Sequence, residues 1–183
     1  VMDGIDYLDK FAPSVQKGIC TVIYDMNIDD ILPLMDWVNK NKSLDWIDIM
    51  VVVQPNNTPL DKNWYKSREF GFLWPKDISK VHSVIDELIC VKDGGGKIAN
   101  SIPQLMAFKE YFQNPDSFVK KGRCNMDRAV HISSVGDIFI CYRWDLLGNI
   151  MEDDLNEIWY SKKADDVREK IYKCKNNCHF LLN

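Results

Sequence analysis

The sequence predicts an α/β N-terminal region joined to a small cysteine-rich unit of one β-hairpin plus helices, α+β overall. Two observations carry this. Short apolar runs at residues 19–26 (ICTVIYDM) and 46–53 (WIDIMVVV) each follow a helical pattern, the alternation typical of a parallel sheet with crossover helices. Four of the six cysteines then fall in the last sixty residues, where long apolar runs are absent.

In chain order, Ile5, Leu8 and Phe11 recur every three residues, predicting a short helix over 3–12. The 19–26 run is short, apolar and rich in β-branched residues, and reads as a buried strand. Ile31, Leu34, Met35 and Val38 follow at i, i+3, i+4 and i+7. Pro33 is tolerated only in a first turn, so this helix starts near Asp29 or Asp30. The 46–53 strand ends at the turn-forming Gln54-Pro55-Asn56-Asn57. Residues 58–75 are irregular and aromatic-rich (Trp64, Tyr65, Phe70, Phe72, Trp74).

A helix from about Lys76 to Val91 carries Val81, Val84, Ile85 and Leu88 on one face. Gly94-Gly95-Gly96 reads as a loop. Ser101-Ile102-Pro103-Gln104 has capping-box spacing with proline in the first turn, opening a helix with Leu105, Phe108 and Phe112 that stops at Asn114-Pro115. Beyond it, Ala129–Ser134 and Ile138–Arg143 read as hairpin strands about Val135-Gly136-Asp137. Gly148-Asn149 reads as a turn. Two helical stretches follow, one with Leu155, Ile158 and Trp159, the other with Val167 and Ile171. The expected organisation is 1–75, 76–123 as a helical linker, and 124–183 as the cysteine-rich unit.

The 183 residues are 46% hydrophobic and 27% charged, a globular composition. With 23 basic against 27 acidic residues, the net charge of −4 gives no reason to expect nucleic acid or an anionic membrane as partner. No apolar run approaches the roughly 20 residues of a membrane span, and no secretory pattern opens the chain. The expected location is cytoplasmic. There, six unevenly spread cysteines point to thiols or metal ligands rather than a disulfide framework.

The cysteines fall into two pairs. Cys124 is followed by eleven residues, Gly136, four residues and Cys141; Cys174 and Cys178 are separated by three. A turn at Gly136 folds the first two toward each other, and a C-x₃-C step on a helix end sets two thiolates about one turn apart. Together they offer four thiolates to an iron–sulfur cluster or a tetrahedral zinc. Four buried free thiols are the plain alternative.

The Cys124…Gly136…Cys141 spacing fits the opening motif of the SPASM and twitch domains, C-x₉₋₁₅-G-x₄-C. Gly136–Cys141, Leu147–Ile150, Leu155–Trp159 and Cys174…Cys178 resemble the rest of it. The resemblance is to C-terminal extensions of radical S-adenosylmethionine enzymes. With four cysteines rather than seven, the chain is similar to the one-cluster twitch type. This implies an auxiliary [4Fe–4S] cluster on Cys124, Cys141, Cys174 and Cys178. It also implies S-adenosylmethionine in the complete enzyme, oxidoreductase or maturase chemistry, and a peptide or small molecule as substrate. Four thiolates leave no open iron, which favours electron transfer over direct substrate ligation. Zinc is the alternative metal, and a non-catalytic structural or interaction module the alternative role.

Residues 19–27, the following helix and 46–55 resemble the last part of that family's partial parallel α/β barrel. The C-x₃-C-x₂-C motif that holds the S-adenosylmethionine cluster is absent: Leu181 stands where Cys174-x₃-Cys178 would need a third cysteine. The expectation is a C-terminal part of a longer enzyme, or a naturally truncated relative. It would pair with a missing barrel half or associate with itself through an exposed edge.

Asn27 and Gln54, at the C-terminal ends of the two strands, are candidates for lining a cofactor or substrate cavity. Helix capping and turn chemistry are their alternatives. Cys20 and Cys90 read as core thiols. His82, His131 and His179 share no site-like spacing, although His179 adjoins a ligand cysteine. Arg143 and Trp144, just after Cys141, are placed to hydrogen-bond or shield cluster sulfurs. No residue set suggests an acid–base or nucleophilic catalytic site.

Overall fold

Two parallel strands organise the N-terminal half of the computed structural model, which describes residues 2–55, 58–117, 119 and 124–178. Asn56, Asn57, His179 and Leu181 lie outside the described residues. Helix α1 (Met2–Phe11) buries Ile5. Strand β1 (Gly18–Ile23) pairs in parallel with β2 (Trp46–Val51), from Gly18↔Trp46 to Ile23↔Val51. Helix α2 (Ile31–Lys40) makes the crossover that parallel pairing requires, burying Ile31, Met35 and Val38 with Pro33 in its first turn. β1 is shorter than the apolar run because the Asn27 side chain draws the chain into a 3₁₀ turn at Asp25–Asn27.

β2 alternates, with Ile47, Ile49 and Val51 buried. Its outer edge is covered: Ile47 donates to Lys97 O (2.7 Å) and accepts from Ala99 N (2.8 Å). Among the described residues, β1 pairs with no strand other than β2.

Helices α3 (Ile78–Asp93) and α4 (Ile102–Gln113) share the core of this sheet. α3 buries Val81, Val84, Ile85 and Leu88, as their spacing predicts, and Asp77 caps it by accepting the Lys80 N–H. Ser101 caps α4 through the Gln104 N–H. The aromatic-rich segment forms a wedge: Trp74 stacks on Trp64, Tyr111 and Phe112 at centroid distances of 5.7, 5.3 and 5.2 Å. Such ring pairs add to the burial of their area.

The C-terminal unit is a meander of β3 (His131–Ile132), β4 (Asp137–Phe139) and β5 (Gly148–Asn149), antiparallel throughout. Gly136 takes φ +89° at the β3–β4 turn, a left-handed conformation that favours glycine. The turn expected at Gly148-Asn149 is instead β5. Glycine suits it because a Cβ on Gly148 would sit 2.6 Å from Ile158 Cδ1, so β5 lies directly on α5 (Leu155–Trp159). α6 (Lys162–Lys173), capped by Ser161, closes the unit. Its core is small, with Ile140, Cys141, Ala164, Val167 and Ile171 buried together. No described helix is long and apolar enough to cross a membrane.

Candidate metal centre

β4 carries the chain into a tight turn in which Trp144 N donates to Cys141 O at 3.0 Å. Cys141 therefore sits just past the strand, not on it. Its thiol is buried in the small core, and Cys124 and Trp144 pack against the same core. Cys141 Sγ accepts the backbone N–H of Arg143. Burial pushes its pKa up, and negative charge on Cys124 and Cys174 pushes it further. Cys124 and Cys174 thus both lie within electrostatic reach of Cys141.

The second pair departs from expectation. Cys174 terminates α6 in extended conformation (φ −65°, ψ 133°), and 174–178 is not helical. The two thiolates are therefore not one helical turn apart. Cys178 is buried on the α4 side, where its charge contributes to raising the Tyr111 pKa after burial, the larger cause. Asn177 fixes this loop: its Oδ1 accepts from Val119 N (3.0 Å), and its Nδ2 donates to Pro115 O (3.1 Å) and Ser117 O (2.7 Å). A lone asparagine between two cysteines gave no sequence signal of that role beyond its capacity to donate and accept at once. Among the described residues, no three His, Cys, Asp or Glu side chains form a group able to hold a single metal ion.

Beside this region lies a cavity of about 380 Å³ lined by Leu60, Tyr142, Arg143, Trp144 and Asn176 among others. A smaller one of about 80 Å³ is lined by Gln54, Leu60, Tyr111, Asn176 and Asn177 among others. Leu60 and Asn176 border both, so the strand-end loop and the cysteine loop meet here.

Gln54 is buried, and its amide works inside its own loop. Nε2 donates to Thr58 Oγ1 (3.1 Å) and to Pro59 O, while Oε1 accepts from Asp61 N (3.1 Å). Asn27 is a local cap, accepting from Tyr24 N (3.0 Å) and donating to Val22 O (2.8 Å). Cys20 and Cys90 are exposed, which corrects their reading as core thiols. Cys20 lies on an edge strand, and Cys90 stands two positions past Leu88, about 200° around the helix from it. His82 Nε2 lies 3.1 Å from Lys109 O, and the His131 ring packs on Tyr142 at 4.7 Å.

Neither the curated proteins nor the solved structures offer a match to this chain. Residues 124–179 do match a family model, that of SPASM, an iron-sulfur cluster-binding domain. The match opens on Cys124 and encloses all four clustered cysteines. The C-terminal unit of this chain is a SPASM-type, iron–sulfur cluster-binding domain.

Proposed function

We propose that Cys124, Cys141, Cys174 and Cys178 hold one [4Fe–4S] cluster, and that the chain is the cluster-bearing C-terminal part of a radical S-adenosylmethionine enzyme. The observation that carries this is that Cys141 is buried in a small core against which Cys124 packs, inside a segment that matches a cluster-binding family and encloses all four cysteines. The donor set has the right chemistry: four thiols, two buried and two partly buried, of which Cys141 and Cys124 belong to the small core of the unit. The backbone N–H of Arg143 already donates to Cys141 Sγ, the kind of bond that stabilises a bound thiolate.

When bound, the cluster supplies one-electron transfer. The protein's part is to exclude water around Cys141 and Cys178 and to present Tyr142, Trp144 and Asn176 to the adjoining cavity. That cavity is suited to a peptide or small-molecule substrate. Residues 1–75 belong to the barrel on this reading, and its other strands would add at the free edge of β1. A second copy at that edge is the alternative partner. S-adenosylmethionine would be bound by the complete enzyme, because this chain has no C-x₃-C-x₂-C motif.

Anaerobic reconstitution tests the proposal. A brown protein with about four irons and four sulfides per chain is expected. Single Cys→Ala changes at the four positions lower cluster occupancy, whereas Cys20→Ala and Cys90→Ala leave it intact. No 5′-deoxyadenosine forms from S-adenosylmethionine with this chain alone. Stoichiometric zinc without sulfide, surviving reconstitution, overturns the reading in favour of a structural zinc module.

A further inference from the structure

The guanidinium of Arg143 presents a feature that the cluster-binding motif does not require. Its Nε and Nη2 atoms are buried and have no hydrogen-bond partner among the described residues. These two nitrogens form one edge of the guanidinium, a planar fork that binds anions through parallel N–H bonds. Leaving charged donors unpaired away from water costs more than leaving neutral ones so. The residue also lines the 380 Å³ cavity, yet this edge has no solvent contact, so the fork faces protein rather than the cavity.

The surroundings define what the fork faces. The cavity lining includes no acid among the described residues. The adjacent Asp145 is paired with Lys170 at 2.5 Å. Arg143 lies in the turn closed by the Trp144 N to Cys141 O bond, two residues past Cys141, and Cys124 packs against the same small core as Cys141. The candidate ligands nearest in this turn and its core are the thiols of Cys141 and Cys124.

We infer that Arg143 is a positioning residue for the cluster, donating Nε–H and Nη2–H to its sulfur atoms and thereby favouring its reduced, more negative state. This rests on the four-thiolate reading above. Donors to cluster sulfurs offset the charge gained on reduction, so their removal lowers the reduction potential. The step involved is a one-electron reduction, with the electron supplied by an external reductant such as dithionite.

The test uses the reconstituted full chain. In a redox titration followed by electron paramagnetic resonance, Arg143→Gln lowers the equilibrium constant for reduction about tenfold, equivalent to about 59 mV for a one-electron couple. Arg143→Lys, which restores the charge without the paired donors, recovers part of that loss. Lys163→Gln, at an exposed cation on α6, leaves the potential unchanged. Reduced wild-type protein carrying ¹⁵N-guanidino arginine shows a resolved nitrogen hyperfine coupling to the cluster. An unchanged potential in Arg143→Gln overturns the inference. If that variant fails to hold a cluster, the hyperfine measurement decides, and absence of coupling overturns it. Failure of the wild-type chain to assemble any cluster refutes the four-thiolate reading instead.

Discussion

The side-chain amide of Asn100 is paired with both backbone groups of Ile49: Oδ1 accepts the Ile49 N–H and Nδ2 donates to the Ile49 carbonyl, each at 2.8 Å. It continues on β2 the ladder that Lys97 and Ala99 begin, a side chain standing in for a strand residue. Asn100 is buried, so no water can replace it. Asn100→Leu, close in volume, strands two backbone groups and is expected to cost about 2–4 kcal/mol. Urea unfolding of the N-terminal core measures it, and an unchanged midpoint would refute the pairing.

Tyr111 donates its hydroxyl to Val52 O at 3.1 Å, and burial raises its pKa well above the ordinary 10.0. A tyrosine that ionises more readily unfolded confers stability that is complete below pH 10 and is lost as pH rises through the folded value. Tyr111→Phe should therefore cost about 1 kcal/mol at pH 7. It should also show a shallower loss of stability than wild type above pH 10. Urea melts at pH 7, 9 and 10.5 provide the comparison; parallel pH profiles would contradict it.

At Gly136, φ is +89°, and a Cβ would approach Asn149 Oδ1 to 2.6 Å. Gly136→Ala combines backbone strain with that clash, about 1–3 kcal/mol. Because Gly136 sets the turn leading to Cys141, reconstituted Gly136→Ala protein should release iron to a chelator faster than wild type. Equal release rates would show that the turn does not govern the centre.

Native alkylation separates the exposed thiols from the rest. Iodoacetamide should modify Cys20 and Cys90 before the buried Cys141 and Cys178. Partial burial, then the charge of Asp48, holds the Cys20 thiol protonated to higher pH. Its rate should therefore keep rising beyond the ordinary thiol range, and Asp48→Asn should shift the profile downward. Peptide mass spectrometry between pH 7 and 10.5 reads both effects; labelling of Cys141 ahead of Cys20 would contradict the burial order.

Much of the fold was legible because local rules and packing agree. The spacing of Val81, Val84, Ile85 and Leu88 named the buried face of α3. Ser101 and Gln104 marked the start of α4, and the two apolar runs did pair in parallel. What stayed hidden depends on long-range partners. Gly148-Asn149 has turn composition, and its pairing with β4, packed on Ile158, makes it a strand. Cys20 sits in an apolar run, but exposure is set by which strands flank β1. The cysteine spacing pointed to the region that matches the cluster-binding family, yet C-x₃-C on a helix was the wrong local geometry: α6 ends at Lys173, and the next residues follow anchors on α4's trailing segment.

That anchoring links chemistry to assembly. Through Asn177, the loop bearing Cys178 takes its position from backbone at Pro115, Ser117 and Val119, and these follow directly from a helix packed in the larger core. A chain whose N-terminal core has not yet formed has no fixed place for that thiol. On the four-thiolate proposal, maturation thereby acquires an order, scaffold first and metal second, and a mutation deep in the larger core would register as iron deficiency at a site it never touches.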